Sequence, residues 1–146
     1  MKLTIEQSDE QRETEILIRC GGAMDERLRQ LIRRIRMYAF SLTGKREGQS
    51  YALSPEEIYY IESVEEKTFL YTEHEMYESD LRLYELEEKL RHTDLMRVSK
   101  SVILNTGLLR SVRPLINGKF EATLQNGERV LISRHYLAAF RERFGV

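Results

Sequence analysis

The sequence predicts a mainly β protein with short helices, an α+β fold overall, and three observations carry this prediction. From residue 51 onward, short runs rich in β-branched and aromatic residues alternate with turn signals. Asn117-Gly118 and Asn126-Gly127 are hairpin signals, because both central residues of a type I′ turn need a positive φ. Apolar residues at helical spacing are confined to three stretches. We therefore expect antiparallel strands joined by hairpins, together with three helices.

The N-terminal residues predict two strands and a helix. Residues 3–6 and 15–20 have β-character, and Gly21-Gly22 ends the second strand. Asp25 stands where a helix cap belongs, in front of a helix over residues 26–40.

This predicted N-terminal helix is amphipathic, with a basic outer side. Its apolar stripe consists of Leu28, Leu31, Ile32, Ile35 and Ala39. Much of the remaining surface is occupied by Arg27, Arg29, Arg33, Arg34 and Arg36. Three interpretations of the basic side stay open: it binds DNA phosphates, it pairs with an acidic partner or a dimer mate, or it is simply solvated.

A polar stretch divides the chain into two parts. Residues 43–50 contain two of the eight glycines and predict a turn or linker. They separate an N-terminal element, residues 1–45, from a C-terminal domain, residues 46–146, and the N-terminal element is a candidate for dimerisation or for signal input. In the C-terminal domain we expect a hairpin loop at 65–67, helices over 82–91 and 136–144, and strands at 57–62, 68–72, 76–79, 98–105 and 120–124.

Length and composition limit the class of protein. At 146 residues the chain has room for one domain with an appended element. It is too short to hold a phosphoacceptor receiver domain in addition. No apolar run approaches the roughly 20 residues that span a bilayer, and residues 1–6 lack the apolar core of a signal peptide. We therefore expect a cytoplasmic protein without membrane insertion. Cys20, the lone cysteine, excludes an intrachain disulfide and is expected to be a small buried thiol rather than a redox sensor.

Charge is distributed unevenly along a chain whose formal net charge is −1. Residues 1–53 carry ten Lys and Arg against eight Asp and Glu, residues 54–94 carry four against thirteen, and residues 95–146 carry nine against three. The last third is therefore a local basic region, which is the electrostatic footprint expected of a nucleic-acid-binding protein. The alternative is that these charges simply lie on solvated surfaces.

The sequence does not predict a catalytic site. His74, His92 and His135 lie in unrelated segments without metal-ligand spacing. The chain has no glycine-rich phosphate loop and no nucleophile elbow. We therefore expect neither an enzyme nor a bound cofactor or metal.

Four motifs, in order and at the right spacing, resemble those of a known family. They are LSPEEIYYIE at 53–62, LYELEEKL at 83–90, RVSKSVILN at 97–105, and the segment from NGE to SRHY at 126–136. Together they resemble the LytTR DNA-binding domain of bacterial transcription regulators, from residue 50 or so to the end of the chain. The resemblance implies an elongated fold of antiparallel sheets in which loops at one edge enter successive grooves of promoter DNA.

Carried over by position, the resemblance implies DNA-binding residues in three loops: Lys67 and Thr68; Arg97, Lys100 and Ser101; and Ser133, Arg134 and His135. An Arg at a rigid strand end can bind guanine bidentately, whereas Lys and Ser more often hold phosphate, so Arg134 is the first choice for base readout. The sequence departs from the usual family residues at Ser99-Lys100 and at Thr68. Asn105 is open to a structural role, in which its amide satisfies a buried turn.

We therefore expect a stand-alone regulator of the LytTR type, similar to a response regulator without a receiver, that binds promoter DNA sequence-specifically. Family members often bind paired direct repeats, which implies a homodimer at least on DNA. Signal input is expected through a signalling protein partner or through expression level. The alternative function is a protein-interaction module whose basic face binds an acidic partner, and RNA binding ranks third.

Overall fold

The computed structural model describes residues 1–145, which form two β-sheets and three helices. The helices are α1 (Glu26–Phe40), α2 (Leu83–Lys89) and α3 (Arg134–Phe144). The strands are β1 (Leu42–Arg46), β2 (Gln49–Leu53), β3 (Tyr60–Val64), β4 (Lys67–Tyr71), β5 (Met76–Ser79), β6 (Leu95–Arg97), β7 (Val102–Asn105), β8 (Leu109–Pro114), β9 (Phe120–Leu124) and β10 (Arg129–Ile132). The predicted mainly β fold with short helices is confirmed.

The two sheets are antiparallel, and each has its own core. The larger sheet has seven strands in the order β2-β1-β5-β4-β3-β7-β6, and the smaller has three in the order β10-β9-β8. Leu86 of α2 is buried in the first core and Phe140 of α3 in the second. Successive side chains of a strand point to opposite faces, so Ile103 of β7 belongs to the first core while Leu104 belongs to the second. β7 therefore ties the two sheets together.

Asn105, at the end of β7, is structural. It is 4% exposed, and its amide nitrogen donates to the carbonyl oxygens of Ile58 at 2.8 Å and Pro55 at 3.3 Å. Its side-chain oxygen accepts a hydrogen bond from the backbone N–H of Gly107 at 2.9 Å. The amide thus satisfies the buried backbone groups of two 3-10 turns, Pro55–Glu57 and Thr106–Leu108, and is not available to DNA.

The hairpins form where the turn signals predicted them, but with a different turn geometry at the two Asn-Gly pairs. Gly118 and Gly127 have φ values of 79° and 89°, whereas neither preceding Asn has a positive φ. Instead, the Asn117 side chain accepts a hydrogen bond from Lys119 N at 3.3 Å. Asn126 does the same with Glu128 N at 3.1 Å, so these turns are not of type I′.

Of the two strands and one helix predicted for the N-terminal residues, only the helix forms. α1 forms as expected, with the Asp25 carboxylate accepting the hydrogen bond of Leu28 N at 2.8 Å. The strands expected at 3–6 and 15–20 are wrong, because nothing in residues 1–145 pairs with them. Cys20 is correspondingly exposed rather than buried.

Of the two alternatives predicted for residues 43–50, a turn or a linker, the structure has a turn, that of the β1–β2 hairpin. Its turn residues Glu47 and Gly48 have φ values of 51° and 74°, which suit a tight hairpin. Lys45 of β1 pairs with Glu78 of β5, so the hairpin extends the larger sheet across the boundary expected between residues 45 and 46.

Candidate nucleic-acid interface

One end of the larger sheet brings two of the predicted loops side by side. The β3–β4 turn, with Val64 paired to Lys67, lies at this end. The loop between β6 and β7 is joined to it, since Ser63 N donates to the carbonyl oxygen of Ser101 at 2.8 Å. The Lys67 and Lys100 side chains are exposed here, and Ser101 is half-buried. Residues that are more than 30 positions apart in the sequence thus share one edge.

The third predicted loop, between β10 and α3, docks on the same place from the smaller sheet. Ser133 N donates to the carbonyl oxygen of Val98 at 2.9 Å, which fixes the start of α3 against the β6–β7 loop. Arg134 and His135, the first two residues of α3, are exposed. The three loops therefore converge on the β6–β7 loop.

Arg97 supports this loop from behind. Its Nε donates to the carbonyl oxygen of Ser99 at 2.8 Å, and a terminal nitrogen donates to that of Lys100. The other terminal nitrogen pairs with Glu87 at 2.9 Å, and the side chain is only 18% exposed. Its guanidinium is therefore already engaged in shaping the loop that carries Lys100, and a direct DNA contact of Arg97 stays a prediction.

Thr68 is also removed from the accessible surface. It lies within β4, paired with Ser63 on one side and Ser79 on the other, and is 4% exposed. A side chain enclosed in this way offers no group at the surface of this structure, and a DNA contact of Thr68 stays a prediction. At this hairpin the exposed candidate is Lys67.

The structure adds a fourth segment that the sequence analysis missed, the turn between β8 and β9. A Cβ built on Gly118 would lie 2.7 Å from Cδ of Arg134, so the arginine side chain runs across this turn. The same turn carries Ile116, which is fully exposed, and Lys119. The pairing of Phe120 with Ile132 could have revealed this proximity, since it places the turn beside the residues that follow β10.

Charge at this end is mixed. The β3–β4 turn contains exposed Glu65 and Glu66 directly before Lys67. The other segments contribute cations, namely Lys100, Lys119 and Arg134. The positive charge is therefore concentrated around the β6–β7 loop, the β8–β9 turn and the start of α3, while the β3–β4 turn would face a polyanion less favourably.

The opposite end of β3 and β4 carries a pair of half-buried tyrosines. The rings of Tyr60 and Tyr71 stack with centroids 4.3 Å apart. Burial, reinforced by the nearby Glu128 carboxylate, raises the pKa of Tyr60 to about 12, so its hydroxyl stays protonated.

Among residues 1–145, no group of three or more His, Cys, Asp or Glu side chains is placed to hold a metal ion. Nor does any helix in this part of the chain have the length and apolar character to cross a membrane.

The chain matches a protein family described as LytTr DNA-binding domain over residues 48–145. It is 29% identical over 100 residues to the sensory transduction protein LytT of Enterococcus faecalis, covering 68% of this chain and 41% of that protein. It is 30% identical over 87 residues to the transcriptional regulatory protein YpdB of Escherichia coli K12, covering 59% of this chain and 36% of that protein. The chain thus spans less than half the length of these relatives.

A solved structure has the same architecture. It is the LytTr DNA-binding domain of a methyl-accepting/DNA response regulator from Bacillus cereus, which superposes with a TM-score of 0.69 at 25% identity. The match covers 73% of this chain and 97% of that one, so the part in common is essentially the whole of that domain.

Proposed function

The chain belongs to the LytTR family of DNA-binding domains, and we propose that it is a bacterial transcription regulator that binds double-stranded promoter DNA sequence-specifically in the cytoplasm. The match is to a family of DNA-binding regulators and not to a family of enzymes.

One observation carries the proposal: three loops that are distant in the sequence converge at one end of the molecule. Backbone hydrogen bonds join the β3–β4 hairpin to the β6–β7 loop, and the β6–β7 loop to the start of α3. Exposed cationic side chains lie on all of them: Lys67, Lys100 and Arg134. Loops held on a rigid sheet end are suited to follow the surface of a duplex, where phosphate contacts position a protein and base contacts specify its site.

The proposed roles follow from how each side chain is held. Arg134 is fixed by the start of α3 and by contact with Gly118, so its planar fork can be aimed at guanine O6 and N7. Lys100 and Lys67 are flexible point charges that suit phosphates. Ser101, Ser133 and His135 supply further hydrogen-bonding groups at the same surface, and Arg97 positions the loop that carries Lys100.

The β8–β9 turn is part of the proposed interface. Its Lys119 adds a cation, and Ile116 offers a fully exposed apolar side chain close to the base-reading Arg134. Apolar side chains in the major groove contact the methyl group of thymine, so this turn is suited to extend readout beyond the guanine.

Two copies of the chain bind paired sites on one duplex in this proposal, and residues 1–45 serve self-association or signal input. The curated relatives are named as sensory transduction and transcriptional regulatory proteins, which supports a place in signalling. A protein partner is the proposed source of the signal.

The test is selection of bound duplexes from a random DNA pool at moderate salt, followed by titration of the selected site. We expect one recurrent motif and an affinity that falls with salt at a log–log slope of about −0.9 per phosphate neutralised. Equal binding to any polyanion without a recurrent motif would instead support the alternative of an interaction module for an acidic partner, and would overturn sequence-specific DNA binding.

A further inference from the structure

The first 40 residues carry two surfaces that complement each other but do not meet within one chain. Residues 1–24, the N-terminal arm, contain three Lys and Arg against five Asp and Glu, whereas α1 contains five Arg against one Glu. No hydrogen bond or ion pair within residues 1–145 joins the arm to α1. The arm and the helix therefore carry opposite net charge and share no hydrogen bond or ion pair among the described residues.

The arm carries apolar side chains that have nothing to pack against. Leu3, Ile5, Ile16 and Leu17 are between 64% and 84% exposed. They belong to the two runs with β-character, whose backbone N–H and C=O groups form no ladder with any other described residue. Unpaired segments of this kind are templates for pairing with another chain.

The apolar stripe of α1 is only partly covered. None of the 15 residues of α1 is buried within the described part of the chain; Leu28, Ile32 and Ile35 are half-buried and Leu31 is 37% exposed. Isolated helices shorter than about 12–15 residues are marginal in water, and most helical stability in proteins comes from packing of the apolar face. A partner surface is therefore needed to stabilise α1.

The connection between arm and helix allows them to separate. Gly21 and Gly22 join the two, Gly22 has a φ of 68°, and a Cβ on either glycine would meet no atom within 4 Å. The arm is instead held near the end of α2, where Glu13 pairs with Arg91 at 2.8 Å and lies 3.2 Å from His92.

We propose that residues 1–40 form a dimer interface between two copies of this chain, in which the arm of each copy lies along α1 of the other. A two-fold axis makes the two arm–helix contacts identical, so one chain provides both halves of a self-complementary surface. A second copy fits better than a foreign protein, because a foreign partner would need a basic apolar helix for the arm and an acidic apolar segment for the helix.

This dimer extends the pairing of protomers on DNA proposed above, but it forms without DNA. Its failure is thus distinguishable from failure of the proposed function: binding of a single selected DNA site tests the function alone, and the oligomeric state in the absence of DNA tests the dimer alone.

The experiment uses two charge-reversal variants of the full chain. The arm variant carries Glu6→Lys, Glu10→Lys and Glu15→Lys. The helix variant carries Arg27→Glu, Arg29→Glu and Arg34→Glu. These six side chains make no ion pair within residues 1–145, so each variant is expected to fold as the parent does, which circular dichroism checks. A control with the same net charge change as the arm variant carries Glu65→Lys, Glu66→Lys and Glu73→Lys.

Sedimentation velocity gives the monomer–dimer equilibrium. The parent chain and the control are expected to dimerise alike, while each reversal variant dimerises at least about tenfold more weakly, because like charges then face each other in both contacts. An equimolar mixture of the two variants is expected to restore dimers, since the basic arm of one then meets the acidic helix of the other and the second contact is that of the parent.

Three results would overturn the dimer: a parent chain that stays monomeric at every attainable concentration, reversal variants that dimerise as strongly as the parent, or a mixture that stays monomeric. The last result would place the arm on its own helix or α1 on a foreign partner.

Discussion

Residues 42–145 and residues 1–41 differ in how they meet the need to bury apolar surface. The first region closes two cores around its own sheets, with Ile61 and Ile132 fully buried, whereas α1 and the arm bury no residue. Both regions contain sequence patterns typical of regular structure. A helix satisfies its own backbone hydrogen bonds, so α1 forms, but a strand depends on a neighbour, so the arm stays irregular. A segment whose sequence favours a β-strand, but which pairs with no strand of its own chain, is therefore a candidate for pairing with another chain.

Truncation of one apolar side chain in each region should have very different effects on the free energy of unfolding. Phe140→Ala should lower the free energy of unfolding by about 3–5 kcal/mol, because Phe140 is fully buried in the smaller core. Ile16→Ala should change that free energy by less than about 0.5 kcal/mol in the monomer, because Ile16 is 64% exposed.

Urea unfolding followed by tyrosine fluorescence measures both, since the chain contains eight Tyr and no Trp. The protein concentration must lie below that at which the chain dimerises. A large loss for Ile16→Ala under these conditions would show that the arm packs on its own chain.

Binding of a single DNA site is expected to depend on residues 42–145, and Arg134 is the first residue to test. Arg134→Ala should weaken binding to a selected site by roughly 1–3 kcal/mol and relax the preference at one base position. Gly118→Ala should reduce the same preference by a smaller amount, because the added Cβ would lie 2.7 Å from Cδ of Arg134.

Gly127→Ala is the matched control for Gly118. Its φ of 89° makes the backbone cost similar, but no atom lies within 4 Å of the added Cβ. Selection of duplexes with each variant gives the readout, and equal effects of the two glycine substitutions on the selected motif would argue against Arg134 as the base-reading residue.

Arg97 and Lys100 should differ in how they affect the salt dependence of DNA binding. Lys100→Ala should reduce the magnitude of the log–log salt slope by about 0.9, because one phosphate contact is lost. Arg97→Ala should weaken binding with the slope unchanged, because Arg97 is paired with Glu87 and acts on the loop. Arg97→Lys should not rescue it, since an ammonium cannot reproduce the planar fork that holds both loop carbonyls.

Affinities measured from low to high salt decide between these roles. A reduced slope for Arg97→Ala together with an unchanged slope for Lys100→Ala would reverse the assignment. Arg110→Ala serves as a control, because its side chain is hydrogen-bonded to the carbonyl oxygen of Gln125, away from the β6–β7 loop.

The smallest expected effect concerns the link between the two regions. Hydrogen bonds from Arg91 and His92 lower the pKa of Glu13 below its ordinary value. A lowered pKa in the folded state means that the link contributes above the ordinary pKa, about 4.3, and is lost as pH falls through the lower value. The link should therefore persist at neutral pH and open only in acid.

NMR titration of the Glu13 side chain measures this. A Glu13 midpoint at the ordinary value of a glutamate side chain would show that the arm is not held at α2.

The sequence could predict most elements because their signals are local. The strand at residues 76–79, the turn of residues 65 and 66, and the Asp25 cap agree with the structure. The failures are those in which the outcome depends on distant residues. The turn predicted as one alternative within residues 43–50 forms, but the strands on either side of it pair with each other and β1 also pairs with β5, which no local pattern indicates.

The candidate site shows the same limit. Motif position alone predicts that Arg97 and Thr68 contact DNA. A motif does not show whether a side chain is already enclosed by its own chain. Only the structure brings Glu87 to Arg97, and only strand register places the β8–β9 turn beside Arg134. Asn105 could be assigned a structural role because an amide in a buried turn has a recognisable pattern of partners.

The hydrogen bond between Ser133 N and Val98 O joins the start of α3 to the β6–β7 loop. This bond holds the backbone of the loop that carries Lys100 next to the backbone of the helix start that carries Arg134. On DNA each base pair adds about 3.4 Å along the axis, so under the proposed function we expect an insertion of one base pair between the positions that Lys100 and Arg134 contact to weaken binding. The proposed interface would then depend on the spacing of its contacts along the duplex as well as on base identity.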